Sequence, residues 1–214
     1  MHVVITGANR GIGQALFSRY QSRGDQVTGT SRAGGDYATL DVTDVAAQKA
    51  FAEQMIDQPV DLLICNAGVY LDKGQDLDAG YPAQMWADTF AANVTGVFLT
   101  VQSLLPNLRL AQNAKIAIIS SQMASHARAP GGSYIYRASK AAVLNVGRNL
   151  STELQPEGIA VGIYHPGWVS TDMGGATAPT TVDQSADGLV SRFDELDMSS
   201  TGCFRTFDGA DHPY

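Results

Sequence analysis

The sequence has few of the residues that mark secreted, membrane-embedded or nucleic-acid-binding proteins. Only two cysteines, Cys65 and Cys203, occur in 214 residues, so no disulfide framework is expected and both thiols are predicted to be buried. No apolar run approaches the roughly 18 residues that cross a bilayer. Lys and Arg number 14 against 21 Asp and Glu, which gives a formal net charge of -7. This acidic balance argues against nucleic-acid partners and against docking on anionic membranes.

The chain also lacks a leader-like start and internal linkers. The first residues, Met1–Gly7, contain neither a basic region nor a long apolar one, so we expect no signal peptide and a cytoplasmic location. Repeats, low-complexity tracts and linkers are missing as well. Hydrophobic residues make up 44% of the chain and charged residues 16%, as is typical of globular proteins. One domain over residues 1–214 is therefore predicted.

Short apolar runs alternate along the chain with longer helical stretches. This pattern predicts an α/β fold, a single doubly wound Rossmann-type domain of about seven mostly parallel strands flanked by helices on both faces. The predicted strands are Val3–Thr6, Gln26–Thr30, Ala38–Asp41, Asp61–Asn66, Lys115–Ser120, Ala160–His165 and Gly202–Phe207. The predicted helices are Ile12–Arg23, Val45–Ile56, Pro82–Leu108, Tyr134–Leu154 and Val182–Leu196. Residues with short polar side chains, which favour the N-cap position, precede two of these helices: Thr43-Asp44 and Thr181.

A glycine-rich turn follows the first predicted strand. Glycine permits a tight turn and lets backbone amides approach a pyrophosphate, which then lies at a helix N-terminus. The alternative is a strand-to-helix turn that binds nothing. The predicted phosphate-binding residues are Gly7, Asn9, Arg10, Gly11, Ile12 and Gly13.

The end of the second strand carries no carboxylate. An acidic residue at this point takes the ribose 2′-hydroxyl of NAD, whereas a guanidinium and a hydroxyl attract the 2′-phosphate of NADP. Here the chain has Ser31 and Arg32, with Arg10 in the glycine turn. We therefore predict that NADP(H) is preferred, with NAD(H) as the alternative. In the competing interpretation Arg32 is a solvated loop residue.

Tyr136 and Lys140 stand one helical turn apart on one face of a predicted helix. A free phenol, with a pKa of about 10, is a poor acid at neutral pH, and a nearby ammonium lowers that pKa. Alone, the two residues could equally be a surface or packing pair. Other polar residues are expected to border one crevice at the carboxyl edge of the predicted sheet, near Tyr136 and Lys140: Asn66, Asn93, Ser120, Ser121 and the segment 165–171.

In this order the motifs resemble the short-chain dehydrogenase/reductase superfamily over nearly the whole chain. The matching residues are the turn from Thr6 to Gly13, Asp41, Asn66-Ala67-Gly68, Asn93, Ser121, Tyr136 to Lys140, Pro166-Gly167 and Thr171. The stretch Tyr134–Ala142 is also similar to the C-factor and sniffer-like carbonyl reductase branch.

The resemblance implies a role for each site residue. Tyr136 exchanges a proton with the substrate oxygen, Lys140 lowers the Tyr136 pKa and binds the nicotinamide ribose, and Ser121 hydrogen-bonds the reacting oxygen. Asn93 holds a water in a relay to Lys140. The implied cofactor contacts are Asp41 and Val42 at the adenine, Asn66, Ala67 and Gly68 at its ribose and the sheet edge, and Pro166, Gly167, Val169 and Thr171 at the nicotinamide.

These roles predict an oxidoreductase that transfers a hydride between NADP(H) and a small carbonyl or alcohol substrate, without a metal. The alternative is a non-enzymatic NADP(H)-binding sensor or signalling protein on the same fold. By analogy with relatives, a homodimer or homotetramer is expected through the helices Pro82–Leu108 and Tyr134–Leu154.

The chain departs from the family pattern in two places. Ser121 and Tyr136 are 15 positions apart, which is more than usual and leaves Ser120 as a rival for the serine role. The added residues lie in a polar loop, 125–133, that is expected to reach over the substrate. The segment 172–180 is shorter than the helical lid of many relatives, which predicts an open cleft with loose substrate selectivity.

Overall fold

Seven parallel strands form one sheet in the order β3-β2-β1-β4-β5-β6-β7, as the sequence predicted. The structure is a computed structural model that describes residues 1–78, 80–127 and 129–214; Arg128, in the loop expected over the substrate, lies outside the described residues. The strands are β1 (His2–Ile5), β2 (Gln26–Ser31), β3 (Ala38–Thr39), β4 (Leu62–Cys65), β5 (Lys115–Ile119), β6 (Ala160–His165) and β7 (Phe204–Thr206). The helices are α1 (Gly11–Ser22), α2 (Val45–Gln54), α3 (Ala83–Phe90), α4 (Gly96–Leu110), α5 (Tyr134–Leu154) and α6 (Val182–Glu195).

The helices cover both faces of the sheet, and each face has its own apolar core. Helices α2, α4 and α5 pack on one face, where Phe51, Leu104 and Val143 meet alternate strand residues such as Ile116. Helices α1 and α6 pack on the other face through residues such as Leu16 and Phe193. Because both faces are covered, the central strands are continuously apolar.

The register of the strands brings their carboxyl ends to one edge. Ile5 pairs with Ile64, Cys65 with Ile118, and Ile119 with Tyr164. The residues that directly follow β1, β4, β5 and β6 therefore lie along the same edge of the sheet. In open α/β sheets this edge is where ligands bind.

The observed bounds differ from the predicted ones by at most two residues, and one predicted helix is divided. The strand expected over Ala38–Asp41 is only Ala38–Thr39, and the last strand spans Phe204–Thr206. The helix expected over Pro82–Leu108 is divided into α3 and α4 by a π-helical turn, Ala91–Thr95. Such a turn accommodates one extra residue without breaking the helix, so hydrophobic periodicity does not reveal it.

The predicted helix caps are present. Asp44 accepts hydrogen bonds from the backbone N–H groups of Ala46 and Ala47 at the start of α2. Thr181 forms a reciprocal capping box with Gln184 at the start of α6. Both devices satisfy amides that a helix start leaves without partners.

The two cysteines have different environments. Cys65 is buried in β4, and burial raises the pKa of its thiol to about 12. Cys203 is only partly buried, so the prediction of burial was wrong for this residue, which precedes the short edge strand β7.

Among the helices of the described residues, none has the length and apolar character needed to cross a membrane.

Candidate active site

Tyr136 lies in the first turn of α5, at the carboxyl edge of the sheet. Its side chain is only 8% exposed. Burial raises the pKa of the phenol well above its ordinary value, while a hydrogen bond from the Ser121 hydroxyl acts in the opposite direction. The structure thus brings together the predicted tyrosine and serine, and it favours the protonated form of the phenol.

Lys140 is also buried, one turn further along α5. Its Nζ donates a hydrogen bond to the Ile119 carbonyl oxygen at 3.0 Å and lies 5.7 Å from the centroid of the Tyr136 ring. Burial lowers the pKa of the ammonium to about 8. The predicted lowering of the Tyr136 pKa by Lys140 stays a prediction, because burial of the phenol is the largest effect on that pKa and raises it.

The two candidate serines have separate environments. The Ser120 hydroxyl is buried and donates to the Lys140 carbonyl oxygen at 3.0 Å, which ties the end of β5 to α5. The Ser121 hydroxyl faces Tyr136 and also accepts from the Met123 amide at 3.1 Å. This geometry favours Ser121 over Ser120 for contact with a reacting oxygen.

Asn93 lies in the π-helical turn, and both polar atoms of its side chain hydrogen-bond to protein groups. Its Oδ1 accepts from the Val69 amide at 2.8 Å, and its Nδ2 donates to the Val69 carbonyl oxygen at 2.9 Å and to Ser139 Oγ at 3.0 Å. A Cβ at Gly68 would stand 3.0 Å from Asn93 Oδ1 and 3.6 Å from Lys140 Nζ. The side chain therefore joins the β4 edge to α5, and its relay role stays a prediction.

The glycine turn is closely packed against the neighbouring strand end. Gly7 and Gly11 have positive φ angles of 67° and 54°, and a Cβ at Gly13 would lie 2.1 Å from the Gly7 carbonyl oxygen. Asn66, predicted to contact the adenine-side ribose, donates to the carbonyl oxygens of Thr6 and Gly7 at 3.0 and 3.1 Å. Its side chain thus fixes the shape of the turn.

The start of α1 leaves its first backbone N–H groups open to an anion. The N-cap residue, Arg10, makes no side-chain capping bond, and the first turn holds no acidic residue. A helix start with free donors and no competing carboxylate is suited to phosphate. Asn9 is exposed beside it, whereas Ile12 packs against the core.

The predicted 2′-phosphate residues are dispersed around this turn. Arg32 is exposed and lies near Asp41, whose pKa is lowered mainly by the Thr43 backbone amide and also by the Arg32 charge. The Ser31 hydroxyl is buried and donates to the Gly34 carbonyl oxygen at 3.0 Å. Arg10 pairs with Asp172 at 3.2 Å, and both side chains are exposed.

The segment after β6 contacts residues at this edge of the sheet. Val169 is buried and bridges to Thr180, which closes the base of the segment, and Thr171 is next to Gly11. Asp172 pairs with Arg10, and Lys73 Nζ donates to the Met173 carbonyl oxygen at 3.1 Å. The segment therefore contacts the glycine turn on one side and Lys73 on the other, and the open cleft with loose substrate selectivity stays a prediction.

Two side chains that sequence reasoning did not single out lie against Tyr136. The Tyr70 ring stacks on the Tyr136 ring with centroids 4.2 Å apart. Asp72 is 0% exposed, and its carboxylate accepts from the backbone amides of Ile135 and Tyr136. Local sequence gives no signal for either contact, because both join residues more than sixty positions apart.

Within the described residues, no group of three His, Cys, Asp or Glu side chains could hold a metal ion.

A family model described as short chain dehydrogenase matches residues 1–181. The chain belongs to the short chain dehydrogenase family. The C-signal protein of Myxococcus xanthus is 39% identical to this short chain dehydrogenase over 170 residues, covering 78% of this chain and 99% of the relative.

Solved structures resemble this short chain dehydrogenase over its full length. An NADPH-bound carbonyl reductase from chicken fatty liver has a TM-score of 0.90 and 28% identity, covering 100% of this chain and 98% of that one. The carbonyl reductase Sniffer of D. melanogaster has a TM-score of 0.92 and 27% identity, covering 100% and 99%. The family and the carbonyl reductase branch predicted from the sequence are thereby confirmed.

Proposed function

We propose that this short chain dehydrogenase is an NADP(H)-dependent carbonyl reductase that reduces small aldehydes or ketones and oxidises the corresponding alcohols in reverse. The observation that carries the proposal is the buried Tyr136 phenol, hydrogen-bonded by Ser121 at the same sheet edge as the open helix start of α1. The similarity of the whole chain to the NADPH-bound carbonyl reductase from chicken fatty liver also supports this proposed function.

The residues present fit a phosphorylated dinucleotide. The first-turn amides of α1 suit the pyrophosphate, since neither a side chain nor a carboxylate occupies them. Arg10, Arg32 and Ser31 are proposed for the 2′-phosphate, and Lys140 for the nicotinamide ribose. Asp41 and Val42 are proposed for the adenine, Ala67 and Gly68 for its ribose side, and Pro166, Gly167, Val169 and Thr171 for the carboxamide. When bound, NADPH supplies the hydride.

The side chains around the reacting oxygen act on its proton and its charge. Because burial raises its pKa, Tyr136 holds its proton at neutral pH and can donate it to a substrate oxygen. The Ser121 hydroxyl, next to the phenol, stabilises negative charge that develops on the same oxygen. Lys140, with a pKa of about 8, is charged at neutral pH and binds hydroxyl groups as a donor.

Oxidation of NADPH with a panel of aldehydes and ketones tests this function. We expect turnover by the wild type and a loss of roughly 10²- to 10⁴-fold in kcat for Tyr136→Phe, since a positioned proton donor contributes about that much. Tyr134→Phe is the matched control, because Tyr134 is exposed and packs edge-on against Tyr81. Equal activity of Tyr136→Phe and wild type, or a wild type inactive on the whole panel, would contradict the proposal.

A second candidate is a non-enzymatic sensor or signalling protein that uses NADP(H) as a ligand. The similarity to C-signal, which extends over 99% of that relative, favours it. A ligand that binds only the folded state raises the apparent stability in proportion to its affinity. Strong thermal stabilisation by NADPH without turnover of any carbonyl would favour the sensor over the reductase.

A further inference from the structure

The first turn of the catalytic helix α5 is capped by a residue from a distant part of the chain. Ser133, at the N-cap position, has a φ of 49° and makes no side-chain capping bond. Instead, Asp72 accepts from the Ile135 amide at 2.8 Å and from the Tyr136 amide at 3.2 Å. These are two of the amides that a helix start leaves without intrahelical partners.

The segment that carries Asp72 contacts Tyr136 in more than one way. Val69 is bound through both its amide and its carbonyl oxygen to Asn93, which fixes the start of the segment. Tyr70 stacks on the Tyr136 ring and hydrogen-bonds the Ser133 hydroxyl. Asp72 then holds the backbone of Tyr136, so ring and backbone are supported by residues 69–72.

The charge of Asp72 also acts on the phenol. A helix N-terminus carries a partial positive charge that favours nearby anions, and a carboxylate placed there neutralises it. The other groups that face Tyr136 are Lys140 on α5, Tyr70 in the same segment as Asp72, and Ser121 after β5. Burial is the largest cause of the raised Tyr136 pKa, and the charge of Asp72 adds to it.

We propose that Asp72 is a positioning residue for Tyr136: it anchors the first turn of α5 and keeps the phenol in its protonated, proton-donating form. The charge effect rests on the proposed reductase function, whereas the anchoring does not. Asp72 makes no contact with the reacting oxygen in this scheme and acts only through Tyr136.

Amide hydrogen exchange tests the anchoring without any turnover. In Asp72→Ala the Ile135 and Tyr136 amides lose their acceptor, and we expect them to exchange at least about tenfold faster than in the wild type. Asp72→Asn retains an acceptor oxygen and should keep most of the protection. Asp44→Ala is the matched control, since Asp44 caps α2 in the same manner away from Tyr136. Unchanged exchange at both amides in Asp72→Ala would overturn the proposal.

The pH profile of NADP⁺-dependent alcohol oxidation tests the charge. In Asp72→Asn we expect the midpoint to move to lower pH by about half a unit to one unit, as is typical for a charge at a helix N-terminus. Asp44→Asn should leave the midpoint in place. A purely structural role would lower kcat or Tm without moving the midpoint, and an unmoved midpoint in folded Asp72→Asn would overturn the proposal. If the wild type oxidises no alcohol, the proposed function fails and the exchange result alone decides the role of Asp72.

Discussion

The two ends of the candidate site are built in different ways. At the glycine turn the shape depends on side chains that are missing, since a Cβ at Gly13 would clash with the Gly7 carbonyl oxygen. At the tyrosine end it depends on buried polar side chains, Tyr136, Lys140 and Asn93, that hydrogen-bond to other parts of the chain. The glycine turn is therefore sensitive to added atoms, whereas the tyrosine end depends on buried polar groups and their hydrogen-bond partners.

The difference also determines how strongly each residue is coupled to the fold. A buried polar group that loses its partner is costly, because the desolvation of the remaining group is not repaid. Exposed ion pairs such as Arg10–Asp172 contribute little, since water and salt screen them. Substitutions at the buried positions should thus have larger effects than substitutions at the exposed cations of the glycine turn.

The largest effect on folding is expected from Gly13→Ala. The added methyl would lie 2.1 Å from the Gly7 carbonyl oxygen and 2.5 Å from Asn66 Nδ2, so the turn must open. We expect a loss of about 3 kcal/mol or more in the free energy of unfolding and the loss of NADPH binding. Thermal denaturation with and without NADPH measures both. Gly24→Ala, with a φ of 82° and no neighbouring atom, should cost only about 1 kcal/mol; equal costs would show that the clash is absorbed.

The serine pair separates catalysis from packing at the tyrosine end. Ser121→Ala removes a hydroxyl that contacts Tyr136, and we expect kcat to fall roughly 10²-fold with little change in stability. Ser120→Ala removes a buried bond to the Lys140 carbonyl oxygen and should cost about 1 kcal/mol of stability with a smaller effect on kcat. Steady-state kinetics and urea denaturation of both variants test this. The reverse pattern would assign the catalytic role to Ser120.

Lys140→Met is expected to separate function from stability. Burial lowers the Lys140 pKa in the folded state to about 8 from its ordinary value of 10.5, so the charged form is disfavoured by folding. The unfolded chain binds more protons between these two values, and stability therefore rises with pH across this window. We expect Lys140→Met to gain about 1–2 kcal/mol at pH 7, less the lost bond to Ile119, with activity lost.

The measurement is the free energy of unfolding from denaturant titrations at pH 7 and pH 10.5. The gain of Lys140→Met over the wild type should shrink toward the higher pH, where the wild-type lysine is neutral in the folded state. A difference that stays constant between the two values would show that the Lys140 charge is not penalised by folding.

The smallest effect is expected at the exposed cation Arg32. Arg32→Ala should weaken NADPH binding about fivefold to tenfold and leave NADH binding unchanged, because a solvated guanidinium contributes roughly 1 kcal/mol to a phosphate contact. Lys49→Ala removes another exposed positive charge, on α2, and serves as the control. Dissociation constants from fluorescence titration decide between them. An equal loss for NADH and NADPH would remove Arg32 from the 2′-phosphate site.

The sequence predicted the glycine turn and the Tyr136–Lys140 motif, but not the long-range contacts that hold these two parts of the site in place. The turn and the Tyr136–Lys140 pair are local patterns, and the continuous apolar strands locate the edge at which they meet. The π-helical turn at Asn93 inserts one residue without altering hydrophobicity. The capping by Asp72 and the pairing of Arg10 with Asp172 join residues far apart in the chain, so only the folded structure brings them together.

The crystal structure of the NADPH complex tests the central claim most directly. The pyrophosphate is expected on the backbone amides at the start of α1, and the nicotinamide ring beside the Tyr136 hydroxyl, with Ser121 on the same side. A pyrophosphate bound away from the glycine turn, or a Tyr136 hydroxyl that faces away from the nicotinamide, would contradict it.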